Sequence, residues 1–145
     1  MTRLLLDTSV LVKWFHSEGE PEAREADGIR VAHFSGAVTV HVLDLALYEL
    51  GNALTGPLGW PPDAVADQLD DVVTMCGAPL VLADEQLRHS AFLAGEYRLS
   101  FYNAAWAAAA RTLGVPLVSA DRQLLVSGLA ESATDFVRRL NLAGA

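Results

Sequence analysis

Short apolar runs alternate with helix-patterned segments along this chain, and that alternation constrains its fold more than any other feature. Leu4 to Leu6 reads as a buried strand. Val10, Leu11, Trp14 and Phe15 give a short helix, followed by a loop through Gly19. A helix is expected from Pro21, a favoured first-turn residue, to about His33. Ala37 to Val42 is a second strand. Leu43, Ala46, Leu47, Leu50 and Leu54 then repeat at helical spacing up to Gly56. After a loop to Pro62, Asp63 is expected to cap a helix whose apolar face holds Val65, Leu69, Val72, Val73 and Cys76. Pro79 to Leu82 reads as a third strand and Asp84 to about Arg98 as a helix. Ser100 caps an alanine-rich helix that Gly114 stops. Val115 to Val118 is a fourth strand, and Asp121 precedes a short helix over Arg122–Val126. Ala133, Phe136, Val137 and Leu140 form a final helical stripe. Strands and helices in alternation imply an α/β fold around a parallel sheet.

At 145 residues the chain fits one domain, 1–145, long enough to bury a core. Its 52% hydrophobic and 19% charged residues exclude the disordered class. No run approaches the ~18 apolar residues of a membrane span, and the apolar stretch near the N-terminus is too short for a signal peptide. A cytoplasmic protein is the expectation, in keeping with the lone Cys76. The net charge of −8 opposes a nucleic-acid partner. Two features offset this. Clustered carboxylates are what a divalent cation needs, and Lys13 is the one lysine among ten basic residues, so the rest are Arg, the better phosphate ligand.

In open parallel sheets the reactive crevice lies beyond the carboxyl ends of the strands. Asp7 stands at the end of the first strand and Asp121 just after the fourth. Glu49 lies in an otherwise apolar helix, one turn from Asn52, where an unpaired carboxylate is costly and a Mg²⁺ ion would supply a partner. Each acid also has an ordinary reading. Asp7 and Asp121 can cap the helices that follow them, and Glu49 can be a solvated helix residue. Their combination carries the signal.

Four blocks in order resemble the PIN domain, and within it the VapC toxins of bacterial toxin–antitoxin pairs. They are Leu4-Leu5-Leu6-Asp7-Thr8-Ser9-Val10-Leu11, Tyr48-Glu49-Leu50-Gly51-Asn52-Ala53-Leu54, Leu99-Ser100-Phe101-Tyr102-Asn103-Ala104-Ala105 and Pro116-Leu117-Val118-Ser119-Ala120-Asp121-Arg122. The resemblance implies a three-layer sandwich, with a central, mostly parallel sheet and helices on both faces. It also implies a Mg²⁺- or Mn²⁺-dependent endoribonuclease. Asp7 and Asp121 would then be metal ligands, directly or through water, and Glu49 would position the attacking water or a second ion. Ser9, Asn52 and Ser119 would orient the carboxylates. Homodimerisation and inhibition by a small antitoxin follow from the same resemblance.

Asn103 departs from the pattern, for the family carries Asp there. An amide keeps a carbonyl oxygen but brings no charge, so weaker Mg²⁺ binding and low or absent cleavage are expected. Whether the residue is natural or introduced is open, as is a role for Glu96 as substitute acid. The competing reading is a catalytically inactive PIN module that binds RNA or an antitoxin. Trp14, Phe15 and Trp60 are candidates for exposed apolar contacts, although aromatics at helical spacing more often pack in the core, and Arg88, Arg98, Arg111 and Arg122 are candidates for phosphate if they share a face. The four histidines lack metal-ligand spacing, which disfavours zinc. A receiver domain would need paired acids near the first strand and a late lysine, and a haloacid-dehalogenase phosphatase would need Asp-x-Asp where Asp7-Thr8-Ser9 stands. Neither pattern is present.

Overall fold

A computed structural model describes residues 2–142. Three parallel strands, β1 (Thr2–Leu6), β2 (Val38–His41) and β3 (Leu117–Val118), form a sheet in the order β2-β1-β3. Leu4, Leu5 and Leu6 are all fully buried. Successive strand residues face opposite sides, so both faces of the central strand are covered, as its uninterrupted leucines require. Around the sheet run α1 (Thr8–Leu11), a 3-10 turn (Val12–Trp14), α2 (Ala23–Ser35), α3 (Leu45–Thr55), α4 (Pro62–Cys76), α5 (Asp84–Tyr97), α6 (Phe101–Leu113), α7 (Arg122–Ser127) and α8 (Ala133–Arg139).

Two single-residue bridges widen the sheet. Leu80 pairs in parallel with Leu43 beyond β2, donating to the Val42 carbonyl and accepting from the Asp44 amide, both at 2.9 Å. Glu131 pairs in parallel with Val118 on the other side. The expected strand at Pro79–Leu82 is therefore reduced to Leu80: Pro79 has no N–H to give, and α5 begins at Asp84. The expected fourth strand is likewise shorter, restricted to Leu117–Val118.

Helix ends follow the local chemistry closely. Ser100 Oγ accepts from the Asn103 amide at 3.1 Å, and Gly114 ends α6 in the left-handed conformation, at φ 66°. Asp121 Oδ1 accepts from the Leu124 amide at the head of α7. At two helix starts the expectation needs correction. Asp63 does not cap α4, which begins at Pro62 with Pro61 as its cap. The helix expected from Pro21 starts at Ala23, because Glu22 takes a left-handed turn at φ 58°. Its carboxylate is engaged elsewhere: Glu22 Oε2 accepts from the Thr134 amide and hydroxyl, at 2.9 and 2.6 Å, and ties α2 to α8.

Trp14, Phe15 and Trp60 are not the exposed aromatics. All three are half-buried against the core, and the Trp14 indole donates to the Ala26 carbonyl. Lys13 is buried with its ammonium donating to the Pro21 carbonyl. Val40 N–H donates to His33 Nδ1, which leaves the proton on Nε2 for the Met75 carbonyl. Both residues serve the packing.

Candidate active site

Asp7 follows the three buried leucines of β1 directly, and its amide donates to the Val118 carbonyl of β3 at 3.0 Å. This pins the residue between the two strands at their carboxyl ends. The residue is only 5% exposed, and its side chain makes no capping bond to α1. Its Oδ2 instead accepts from Ser9 Oγ at 2.8 Å and from Ser119 Oγ at 2.6 Å. The serines are themselves placed by accepting bonds: Ser9 Oγ takes the Ala120 amide and Ser119 Oγ the Asp121 amide, each at 2.9 Å. One compact network thus joins the ends of β1 and β3 to both aspartates.

Burial pushes the Asp7 carboxyl above the ordinary carboxylate range. The Ser119 and Ser9 hydroxyls pull it partly back, and the neighbouring charge of Glu49 adds to the effect of burial. Glu49 is held from two directions, with Oε1 accepting from Thr8 Oγ1 at 2.9 Å and from Trp106 Nε1 at 3.3 Å. Trp106 is fully buried, so its indole N–H must find a partner inside the protein. The carboxylate is half-buried and faces a cavity of about 300 Å³, shared with Leu45, Tyr48, Asn52 and Tyr102.

Asn103 lies in the first turn of α6. Its Nδ2 donates to Asp121 Oδ1 at 3.1 Å and to Gln123 Oε1 at 3.2 Å. Asp121 therefore caps α7 while lying in the acidic group. The structure brings Asp7, Ser9, Ser119, Asp121 and Asn103 into one hydrogen-bonded set and places Glu49 beside it through Thr8. Asn52 is exposed; it shares the Glu49 cavity, but its side chain forms no hydrogen bond among the described residues. Glu96 is exposed and bonds to none of these groups. Thr8, Trp106 and Gln123 had no visible role in the sequence. Trp106 stands one helical turn after Asn103, which is a signal of shared face, but its acceptor lies on another helix.

Among the described residues, no three acid, histidine or cysteine side chains already close into a metal cage. The donors still suit a hard divalent ion. They are carboxylate oxygens, Mg²⁺ commonly takes only one or two of these and fills the rest with water, and the charge on Asp7 is disfavoured by burial and by Glu49, a strain that a cation would relieve. The residues fit Mg²⁺ or Mn²⁺ in chemistry.

A family model described as the PIN domain matches residues 4–126. Among solved structures, the chain is similar to the crystal structure of PAE2754 from Pyrobaculum aerophilum, at 29% identity and a TM-score of 0.62, with 97% of each chain covered. None of the curated proteins matches. PIN domains are in general metal-dependent nucleases. With the family match spanning all four acidic-site blocks and the solved structure agreeing over nearly the whole length, the chain belongs to the PIN domain family.

Proposed function

We propose that this chain is a Mg²⁺- or Mn²⁺-dependent endoribonuclease toxin of the VapC type, acting as one cytoplasmic domain and impaired by Asn103. The observation that carries the reading is the double serine grip on a buried carboxylate, Asp7, at the end of the central strand. A plain helix cap would spend its oxygens on α1, and Asp7 makes no capping bond there.

Asp7 and Asp121 would hold the ion, with Glu49 beside them. When bound, it would supply Lewis-acid activation of water and charge neutralisation at the phosphate. The protein's own groups do the rest. Ser9 and Ser119 fix the Asp7 carboxylate by donating to the same oxygen, which leaves the other edge of the group to face the ion. Glu49, steadied by Thr8 and Trp106, would orient the attacking water and take its proton. Asn103 works against the ion. Its amide N–H occupies Asp121 Oδ1, whereas an Asp there would present a second charge to the cation.

That same bond favours a second reading, an inactive PIN module that binds RNA or an antitoxin, because it satisfies Asp121 without metal. The partners expected on the toxin reading are a second copy and a small antitoxin. In support, Tyr48 (75% exposed), Val81 (73%) and Tyr102 (63%) line one apolar cavity with Phe101 and Leu87, a face suited to a second copy.

Mn²⁺-dependent cleavage of a structured RNA pool tests the two readings, using the native chain, Asn103→Asp and Asn103→Asp/Asp7→Asn. Cleavage by Asn103→Asp that chelator and the Asp7→Asn change both abolish is the expected result. If no form cuts, the enzyme reading gives way to the binding module.

A further inference from the structure

The sequence leaves four arginines as phosphate candidates on condition that they share a face, and the fold meets that condition for a subset. Arg98 and Arg122 line one open cavity of about 310 Å³, together with Tyr97, Gln123, Val126 and Ser127. Arg111 stands beside it, its Nη2 donating to the Tyr97 hydroxyl at 3.5 Å. No carboxylate lines this groove, in a chain of net charge −8. The ion pairs among the described residues are Arg30 with Asp27 and Arg139 with Glu131, so Arg98 and Arg122 are not neutralised by a neighbour. Both are exposed.

The groove adjoins the acidic site. Arg122 follows Asp121 in sequence, and Gln123 accepts from the Asn103 amide that also bonds Asp121. Arg98 stands at a position where arginine is an odd choice. It ends α5 in the left-handed conformation, at φ 56° and ψ 44°, where glycine would be less strained. An unfavourable residue at such a place points to a use for its side chain.

We propose that Arg98 and Arg122 form a backbone-phosphate subsite that seats the RNA strand flanking the cleaved bond. The inference rests on the ribonuclease reading and names how an acidic protein would hold a polyanion. Two guanidiniums in an acid-free groove supply the contact, the acidic site takes the neighbouring phosphate, and Tyr97 lines the groove with its hydroxyl accepting from Arg111. Such contacts position the strand without reading its sequence.

The test is fluorescence anisotropy of a short fluorescein-labelled single-stranded RNA of mixed sequence, titrated over a range of salt, with Ca²⁺ replacing Mn²⁺. Arg98→Gln/Arg122→Gln should weaken binding roughly tenfold and reduce the salt slope by about 1.4, because each phosphate neutralised on a single strand contributes about 0.7. Arg24→Gln, an exposed arginine on α2, should leave both unchanged. Arg98→Gly provides the control for folding, since it should raise Tm yet still weaken binding. If native protein binds RNA and the double variant matches it in affinity and slope, the groove is not a phosphate subsite, while the ribonuclease reading stands. If native protein binds no RNA, both fall. A double variant that keeps its RNA affinity but loses binding to an acidic peptide would assign the groove to a protein partner and overturn the proposal.

Discussion

Asp7 concentrates, in a single carboxylate, the conflict between stability and the function proposed for it. An acid whose pKa is raised on folding binds its proton more tightly in the native state. Its contribution therefore favours the fold at low pH and is lost as pH rises through the raised value. In chelator, the native chain should lose stability relative to Asp7→Asn as pH climbs above the ordinary carboxyl value of 3.8. The two should converge below it, as urea midpoints across pH would show. Asn keeps an oxygen to accept from both serines, so the substitution removes the charge and spares the network. Trp106 offers a second test on a single side chain. Trp106→Phe removes the indole N–H from Glu49 and should cost about 1 kcal/mol from the missing hydrogen bond alone. Cleavage by an Asn103→Asp background should fall with it, while a distant core substitution of equal stability cost should leave cleavage unchanged.

The elements were mostly legible, because their signals are local. Ser100 and Gly114 bound α6 as a cap residue and a left-handed stop should, and Ser100→Ala is expected to cost about 1 kcal/mol in urea denaturation. Since Ser100 Oγ holds the Asn103 amide in place, that change should also lower the metal affinity of an Asn103→Asp background. Leu4 to Leu6 declared a central strand by being apolar without alternation. Strands that rest on a single bridge were less legible. Leu80 has the residues of a strand around it but too few free backbone groups to extend one, and Glu131 joins β3 through backbone bonds that leave no mark on side-chain pattern. Pro61, not Asp63, stands at the cap of α4, so the helix starts two residues earlier, at Pro62.

Across the molecule as a whole, the acids of the candidate site were visible because each stands at a strand end or breaks an apolar helix. What holds Glu49 was hidden, because Thr8–Glu49 and Trp106–Glu49 join residues far apart in sequence, whereas Ser119, which donates to Asp7, is among the residues the resemblance expects to orient the carboxylates. For the aromatics the core reading holds and the exposed one does not. Trp14, Phe15 and Trp60 pack inward, whereas Tyr48 and Tyr102 flank the acidic site, since a helix exposes whichever face no neighbour covers. Cys76 reports on global opening. Burial pushes its thiol up to about 11, so alkylation at pH 8 should be slow in the native protein and rise sharply only through the urea transition.

Everything functional here depends on the carboxylates gathered at the ends of β1 and β3 forming a divalent-cation site that Asn103 weakens. Calorimetric titration of Mn²⁺ into the native chain, Asn103→Asp and Asp7→Asn addresses this without any assumption about the RNA. The native chain should bind weakly and Asp7→Asn should lose binding. Asn103→Asp should bind at least roughly tenfold tighter than the native chain, equivalent to about 1.4 kcal/mol. Equal affinities in all three would contradict the assignment, by showing that the cation, if bound, sits elsewhere.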